Sequence, residues 1–255
     1  MKKIYILIIL LSLISVSYSE TSTSIAQKYY IEAQRYYSEG SSEQAIQKLY
    51  KAIQTRADYA EAYKMLGDIY FELHNFIQAK YLYMQVDTFS TNLQYTGDLS
   101  SVYYNLSEIW FADRSVKTNL EMAIFYCNKC IAINSNFILA YYRIAGYEKT
   151  LAEKQFNEIQ SLKNNSDIMI MAADKNYLRA VSDYDTFITL SIISGNPQYK
   201  NSINIAYDKL TFILDKQKLY SRALPYLRSW KEINPYNTKC QERLSRAKKE
   251  LTKNR

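Results

Sequence analysis

Histidine occurs once in these 255 residues, cysteine and proline three times each, and glycine five times. Each scarcity closes off a class of protein. With His74 as the sole histidine and no paired-cysteine knuckle, zinc chemistry has no ligand set. Three cysteines, an odd number, do not make a full disulfide framework. These glycines and prolines are too few for the turns of a sandwich or barrel of many short strands, whereas helical repeats need few, which favours an all-α chain. There is no glycine-rich phosphate loop, so nucleotide hydrolysis has no support either. No catalytic residue, cofactor or metal is expected, and an enzyme is not the expected class.

What is present is ordinary in bulk and unusual in detail. Hydrophobic residues make up 48% of the chain, enough for a packed core, so disorder is not expected. Tyrosine occurs 26 times, much of it at helical spacing on faces that should pack. Lys2 and Lys3 precede an apolar run from Ile4 to Val16, and Ser17-Tyr18-Ser19 follows. That pattern predicts a signal peptide over residues 1–19 and an exported mature chain beginning near Glu20. The run is shorter than the roughly 17–25 residues that cross a bilayer, and no other stretch is long and apolar enough, so no membrane span is expected in the mature chain.

Two segments show a packing rhythm: Tyr63-x2-Leu66-Gly67-x2-Tyr70, then Ala79-x3-Tyr83. Ala33 and Ala45 hold the positions of Gly67 and Ala79 one period of 34 residues earlier. Small residues at these places let two helices of a hairpin approach closely, and large ones fill the space beside them. Aligned on this rhythm, repeats fall at about 26–59, 60–93, 100–137 and 204–237. The third has Tyr103-x2-Leu106-Ser107-x2-Trp110 and Ala123-x3-Cys127, and the last has Tyr207-x2-Leu210 and Ala223-x3-Leu227. Thr96-Gly97-Asp98 reads as a turn before the third repeat. Between 138 and 203 lies an irregular long hairpin: Tyr141, Ile144 and Ala145 start in register, one helix runs to about Leu162, and the returning helix runs from about Asp167 to Ser194, stopped by Gly195-Asn196-Pro197. A capping helix over about 238–252 closes the chain. Its seven basic residues from Lys239 to Arg255 read as a solvated outer face rather than a nucleic-acid site.

This rhythm resembles the tetratricopeptide repeat (TPR) family, whose 34-residue helix–turn–helix units stack into an α-solenoid. The resemblance covers most of Ala26 to Asn237 and is strongest in the second repeat. Glu32 departs from it, standing where a large apolar residue belongs, and the first three repeats lack the closing proline that Pro235 supplies in the last. The resemblance implies a concave groove lined by Tyr30, Gln34 and Tyr37 of the first repeat, Lys64, Asp68 and Phe71 of the second, and Tyr104, Glu108 and Phe111 of the third. It implies an aromatic ladder of Tyr37, Phe71 and Phe111 beside the acids Asp68 and Glu108. The basic clamp by which some members hold a terminal carboxylate is absent in residues, because Tyr30 and Gln34 occupy the places of a Lys and an Asn.

The expectation is therefore an exported module that binds a protein or peptide partner in this groove. An envelope role in which the aromatic ladder stacks on glycan rings is the alternative. Cys127-Asn128-Lys129-Cys130 has the spacing of a redox pair, but both cysteines fall on packing positions, where buried structural thiols are expected. His74 is expected in the exposed turn between the helices of the second repeat.

Overall fold

The computed structural model describes residues 23–90, 96–162 and 167–253, and every helix, bend and turn among them is consistent with an all-α chain without strands. The predicted signal peptide and its cut before Glu20 lie outside the described residues. In order, the helices are α1 over residues 23–38, then α2 (Ser42–Thr55), α3 (Ala60–Glu72), α4 (Phe76–Phe89), α5 (Thr96–Ala112), α6 (Asn119–Ile133), α7 (Ile138–Leu162), α8 (Asp167–Ser194), α9 (Lys200–Lys216), α10 (Tyr220–Ile233) and α11 (Thr238–Lys253). A 3-10 turn at Pro197–Tyr199 precedes α9. The chain forms two compact units, Met1–Leu106 and Ser107–Arg255, and the division falls inside α5.

In the first unit the hairpin turns are built alike. At the end of α1, Gly40 takes φ +77° and the Ser41 amide reaches back to the Tyr36 carbonyl at 2.8 Å. At the end of α3, 34 residues later, His74 takes φ +57° and the Asn75 amide reaches Tyr70 O at 2.9 Å. This is the left-handed cap that satisfies the last carbonyls of a helix and sends the chain back. Glycine adopts it freely; a side chain there costs about 1 kcal/mol. Asn75 then accepts the Gln78 amide at 3.3 Å, capping α4.

Packing follows the complementarity of small and large residues. Ala33, Ala45 and Leu49 are fully buried between α1 and α2. In the second hairpin Gly67 faces the buried ring of Tyr83, and a Cβ added at Gly67 would lie 2.8 Å from Tyr83 Cε1. The ring cannot drift aside, because its hydroxyl donates to Asp68 Oδ1 at 2.8 Å and accepts from Asn105 Nδ2 at 2.9 Å. Glu32, the polar departure in the first repeat, is paired with Lys48 across the α1–α2 hairpin, so the acid is neutralised rather than stranded. Thr96-Gly97-Asp98, read above as a turn, is instead the first turn of α5. Residue types that favour turns also favour helix starts, and the two readings share one composition.

In the second unit α7 and α8 form the long hairpin, at 25 and 28 residues. Ala145 and Ala152, one heptad apart on α7, are buried in one core with Tyr177, Ala180 and Tyr184 of α8. Gly195, at φ +62°, ends α8, and Asn196 accepts the Gln198 amide at 3.0 Å to start the 3-10 turn. The α9–α10 turn repeats the left-handed cap with Lys218 at φ +57°, and the Leu219 amide bonds Leu214 O at 2.8 Å. The polar α11 buries only Cys240, Leu244 and Ala247. Its basic residues are largely committed: Arg243 pairs with Asp208 at 2.7 Å and Arg246 with Asp215 at 2.5 Å, both acids on α9. That is the chemistry of a cap that solvates the end of a stack.

Candidate functional site

The first helix of each hairpin carries its packing residues on one face, which turns the neighbouring stripe outward. On α1 this brings Tyr30, Gln34 and Tyr37 together. On α3 it brings Glu61, Lys64, Met65 and Asp68. These seven residues line one concavity of about 260 Å³ in the first unit. Five of the nine residues predicted for the groove thus share a site, joined by Glu61 and Met65, which lie beside the predicted stripe rather than on it.

The polar groups of this site are tied into a network. Lys64 Nζ meets Asp68 Oδ2 at 2.6 Å, one helical turn apart, while the other oxygen of Asp68 takes the Tyr83 hydroxyl. The Tyr37 hydroxyl crosses from α1 to donate to Glu72 Oε2 at 2.5 Å. That bond to a carboxylate, together with desolvation, pushes the Tyr37 hydroxyl up to about 12. Tyr30 leans on Tyr59, with ring centroids 5.4 Å apart. Of the carboxylates here, only Asp68 is offset by a cation; Glu72 is held by a neutral hydroxyl, and Glu61 makes no ion pair among the described residues. The site remains acidic, with less free charge than the stripe alone suggests.

The remaining predicted residues play other parts. Phe71 is not in the lining; it packs within its own hairpin against Phe76 and Tyr83, at centroid distances of 5.5 and 6.4 Å. Tyr104 is half-buried on the part of α5 that belongs to the first unit. Glu108 and Phe111 belong to the second unit. There Phe111 stacks on Tyr147 at 4.6 Å, and Glu108 accepts the Tyr147 hydroxyl at 2.5 Å while pairing with Arg143 at 3.0 Å. Burial first, and then the Glu108 charge, hold the Tyr147 hydroxyl far above the ordinary tyrosine range. The expected ladder of free rings is therefore a set of packed rings. Arg143 lies 35 positions from Glu108, and no local pattern announces that pair.

The other chemical candidates are quiet. Cys127, Cys130 and Cys240 are buried and unlinked. Burial pushes the Cys127 and Cys130 thiols up to about 12, away from the thiolate that redox exchange needs. His74 is exposed in its left-handed turn, its ring edge-on to Phe76 at 5.8 Å. No group of three or more His, Cys, Asp or Glu side chains able to hold a metal ion occurs among the described residues.

Comparison with known proteins bears on the fold. No curated protein matches the chain by sequence. Among solved structures the chain is similar to the MamA protein, at 16% identity and a TM-score of 0.58, over 83% of this chain and 92% of that one. It is similar at 15% identity and TM-score 0.58 to the C-terminal part of a TPR repeat-containing protein from Cytophaga hutchinsonii, over 86% of this chain and 73% of that one. It is also similar to YrrB, described as a TPR protein with an unusual peptide-binding site, at 15% identity and TM-score 0.55, over 84% of this chain and 89% of that one. Likeness at this identity speaks for the fold, and the TPR repeat family model itself matches residues 33–73, the stretch from Ala33 through the end of α3. One TPR repeat is thus matched within residues 33–73, and the chain has the all-α fold of stacked helix–turn–helix repeats that these solved structures share.

Proposed function

We propose that this chain is a protein-interaction module that holds a segment of a partner protein in the first unit's concavity. The observation that carries the reading is the convergence of Tyr30, Gln34, Tyr37, Glu61, Lys64, Met65 and Asp68 from two helices on one concave surface. Rings and a thioether bury the apolar part of a ligand, while Glu61 and Glu72 attract a basic side chain beside it. The favoured segment therefore carries a Lys or Arg next to an apolar residue. The glycan alternative loses support, because Phe71 and Phe111 spend their faces on protein packing rather than forming a row open to sugar rings. Export belongs to the same proposal and rests on Lys2, Lys3 and the apolar run to Val16. Among the described residues no helix is long and apolar enough to cross a membrane.

A photo-cross-linking side chain placed at Gln34, which is exposed and makes no side-chain hydrogen bond among the described residues, tests the reading in native cells. One at Lys80 on α4 is the control. The proposal expects a discrete polypeptide adduct from Gln34 and not from Lys80; equal labelling from both positions would sink it. N-terminal sequencing tests export, and a mature chain starting at Met1 would contradict it.

A further inference from the structure

The second unit carries a feature that the groove of the first does not use. Along α9, Lys209, Phe212 and Lys216 fall at i, i+3 and i+7 and so share one side of the helix. Each meets a residue of α7 taken from a heptad-spaced series, Tyr142, Lys149 and Phe156. Lys209 lies over Tyr142 at 5.1 Å, Lys149 over Phe212 at 5.9 Å, and Lys216 over Phe156 at 5.6 Å. Cation and ring alternate along the pair of helices, with their roles exchanged at the middle rung. Arg243 of α11 also approaches the Phe212 ring, at 5.6 Å, and Phe212 stays 42% exposed.

The charge balance of this ladder is uneven. Lys149 is paired with Glu153 at 2.7 Å and Arg243 with Asp208 at 2.7 Å. Lys209 and Lys216 are held by neutral groups: Lys209 donates to the Tyr142 hydroxyl at 3.4 Å and Lys216 to the Tyr177 hydroxyl at 2.8 Å. Neither has a carboxylate within ion-pair reach among the described residues. A ring and a hydroxyl fix an ammonium in place without cancelling its charge. Beyond Lys216 the surface opens into a cleft of about 400 Å³ whose walls include Phe156, Leu178 and Leu219. Asp174 also lines it, with one oxygen taken by the Gln217 amide at 3.0 Å. The wider balance agrees: residues through Leu106 hold nine basic against ten acidic side chains, whereas those from Ser107 hold 23 against 15.

We infer that the α7–α9 ladder is a second binding surface, for an acidic segment of a protein in extended conformation. Lys209 and Lys216 are seven residues apart, about 10 Å along the helix axis. A chain extended as polyproline II rises about 3.1 Å per residue and returns to the same face every three residues, so carboxylates three positions apart face the helix together and span about 9 Å. The fitting ligand carries Asp or Glu at i and i+3 with an apolar side chain between them, set against Phe212 and the cleft. Nucleic acid is disfavoured, because Phe212 is the one exposed ring of the ladder and stacking on successive bases needs a row of them.

The test is fluorescence anisotropy of the full chain with synthetic peptides. One has acids at i and i+3 around a leucine, one has the acids adjacent, one has Gln in place of both acids, and one has lysines in their place. The expected result is binding of the first peptide, at least several-fold weaker binding of the adjacent-acid peptide, none of the others, and a marked loss in high salt. Lys209→Met and Lys216→Met keep most of the apolar stem, and each is expected to weaken binding about tenfold. Lys209→Arg and Lys216→Arg should retain it, with helicity by circular dichroism unchanged throughout. Tyr30→Ala, in the first unit's concavity, should leave this binding untouched, so failure here and failure of the proposed function are separable. Equal binding of acidic and basic peptides, no binding of any, or indifference to both methionine variants would overturn the inference. So would a short single-stranded oligonucleotide or an anionic vesicle that outcompetes the acidic peptide.

Discussion

Tyr70 of α3 and Glu148 of α7 hold the same place in the helical repeat, seven residues after Tyr63 and Tyr141. In the first unit the side chain at that place packs on its core and brings its hydroxyl out to meet that of Tyr50 at 3.2 Å. In the second unit the side chain is a carboxyl only 4% exposed, against Asp183 of α8. Trp110 and Leu214 occupy the same place in the third and last repeats, so an acid there is the exception. Burial, reinforced by Asp183, pushes the Glu148 carboxyl up to about 9, and Asp183 is raised as well, again chiefly by burial. The two share a proton that a solitary buried carboxylate would need a cation to replace. A repeat position that in one unit simply packs has in the other become a titratable joint between two long helices.

The largest effect expected from this difference is a pH dependence confined to the second unit. An unfolded glutamate loses its proton near its ordinary value of 4.5, whereas Glu148 in the folded chain holds it to about 9. Between those values the folded state binds the extra proton, so stability is highest in acid and falls as pH rises, by about 1.4 kcal/mol per unit for one proton. Glu148→Gln, which can still donate to Asp183, should flatten the decline and gain about 2 kcal/mol or more by pH 8. Urea unfolding from pH 5 to 9 measures it. Parallel curves for parent and variant would mean that the two carboxyls do not share a proton.

The corresponding probe in the first unit is Gly67. Gly67→Ala drives a Cβ against the tethered Tyr83 ring and should cost about 1–2 kcal/mol, even after the gain in helix propensity. Tyr83→Leu in the same chain should recover part of that loss, and a double-mutant cycle without coupling would show that the contact is not the cause. Ala79→Leu, on the facing helix, overpacks the same seam at a cost of about 1–3 kcal/mol.

The smallest effect separates the turns. His74→Gly removes a side chain from the left-handed region and should stabilise by about 0.5–1 kcal/mol, while Gly40→Ala should destabilise by a similar amount. Thermal melts of the two variants should move in opposite directions; a shift of the same sign would mean that the caps are not equivalent.

How much of this was readable follows from how local each feature is. The 34-residue return of small residues, and with it the all-α repeat fold, is a periodic signal that survives single departures such as Glu32. The left-handed turns were readable at Gly40 and invisible at His74, where only the repeat spacing points to the conformation. Lys64 and Asp68 stand one helical turn apart and could be paired from sequence; the second partner of Asp68, Tyr83, depends on how α4 lies against α3. The groove residues on α1 and α3 were reached because helical periodicity sets which face is left over after packing. Phe71 was misplaced because a ring at the edge of that face can turn inward to Phe76 and Tyr83, and periodicity does not resolve the choice. Glu148 was readable in principle, as an acid in register with Tyr70 and Trp110. The α7–α9 ladder was not, since its rungs join residues more than 55 positions apart.

The central functional claim is that the first unit's concavity selects a basic side chain beside an apolar one. Selection from a random peptide library displayed against the full chain tests it directly. Peptides enriched by the parent should carry Lys or Arg adjacent to an apolar residue, and that signature should vanish with Tyr37→Ala combined with Glu61→Gln while the acid-rich peptides expected for the second unit persist. Enrichment of Lys or Arg motifs that survives this double variant, or the absence of any such enrichment, would contradict it.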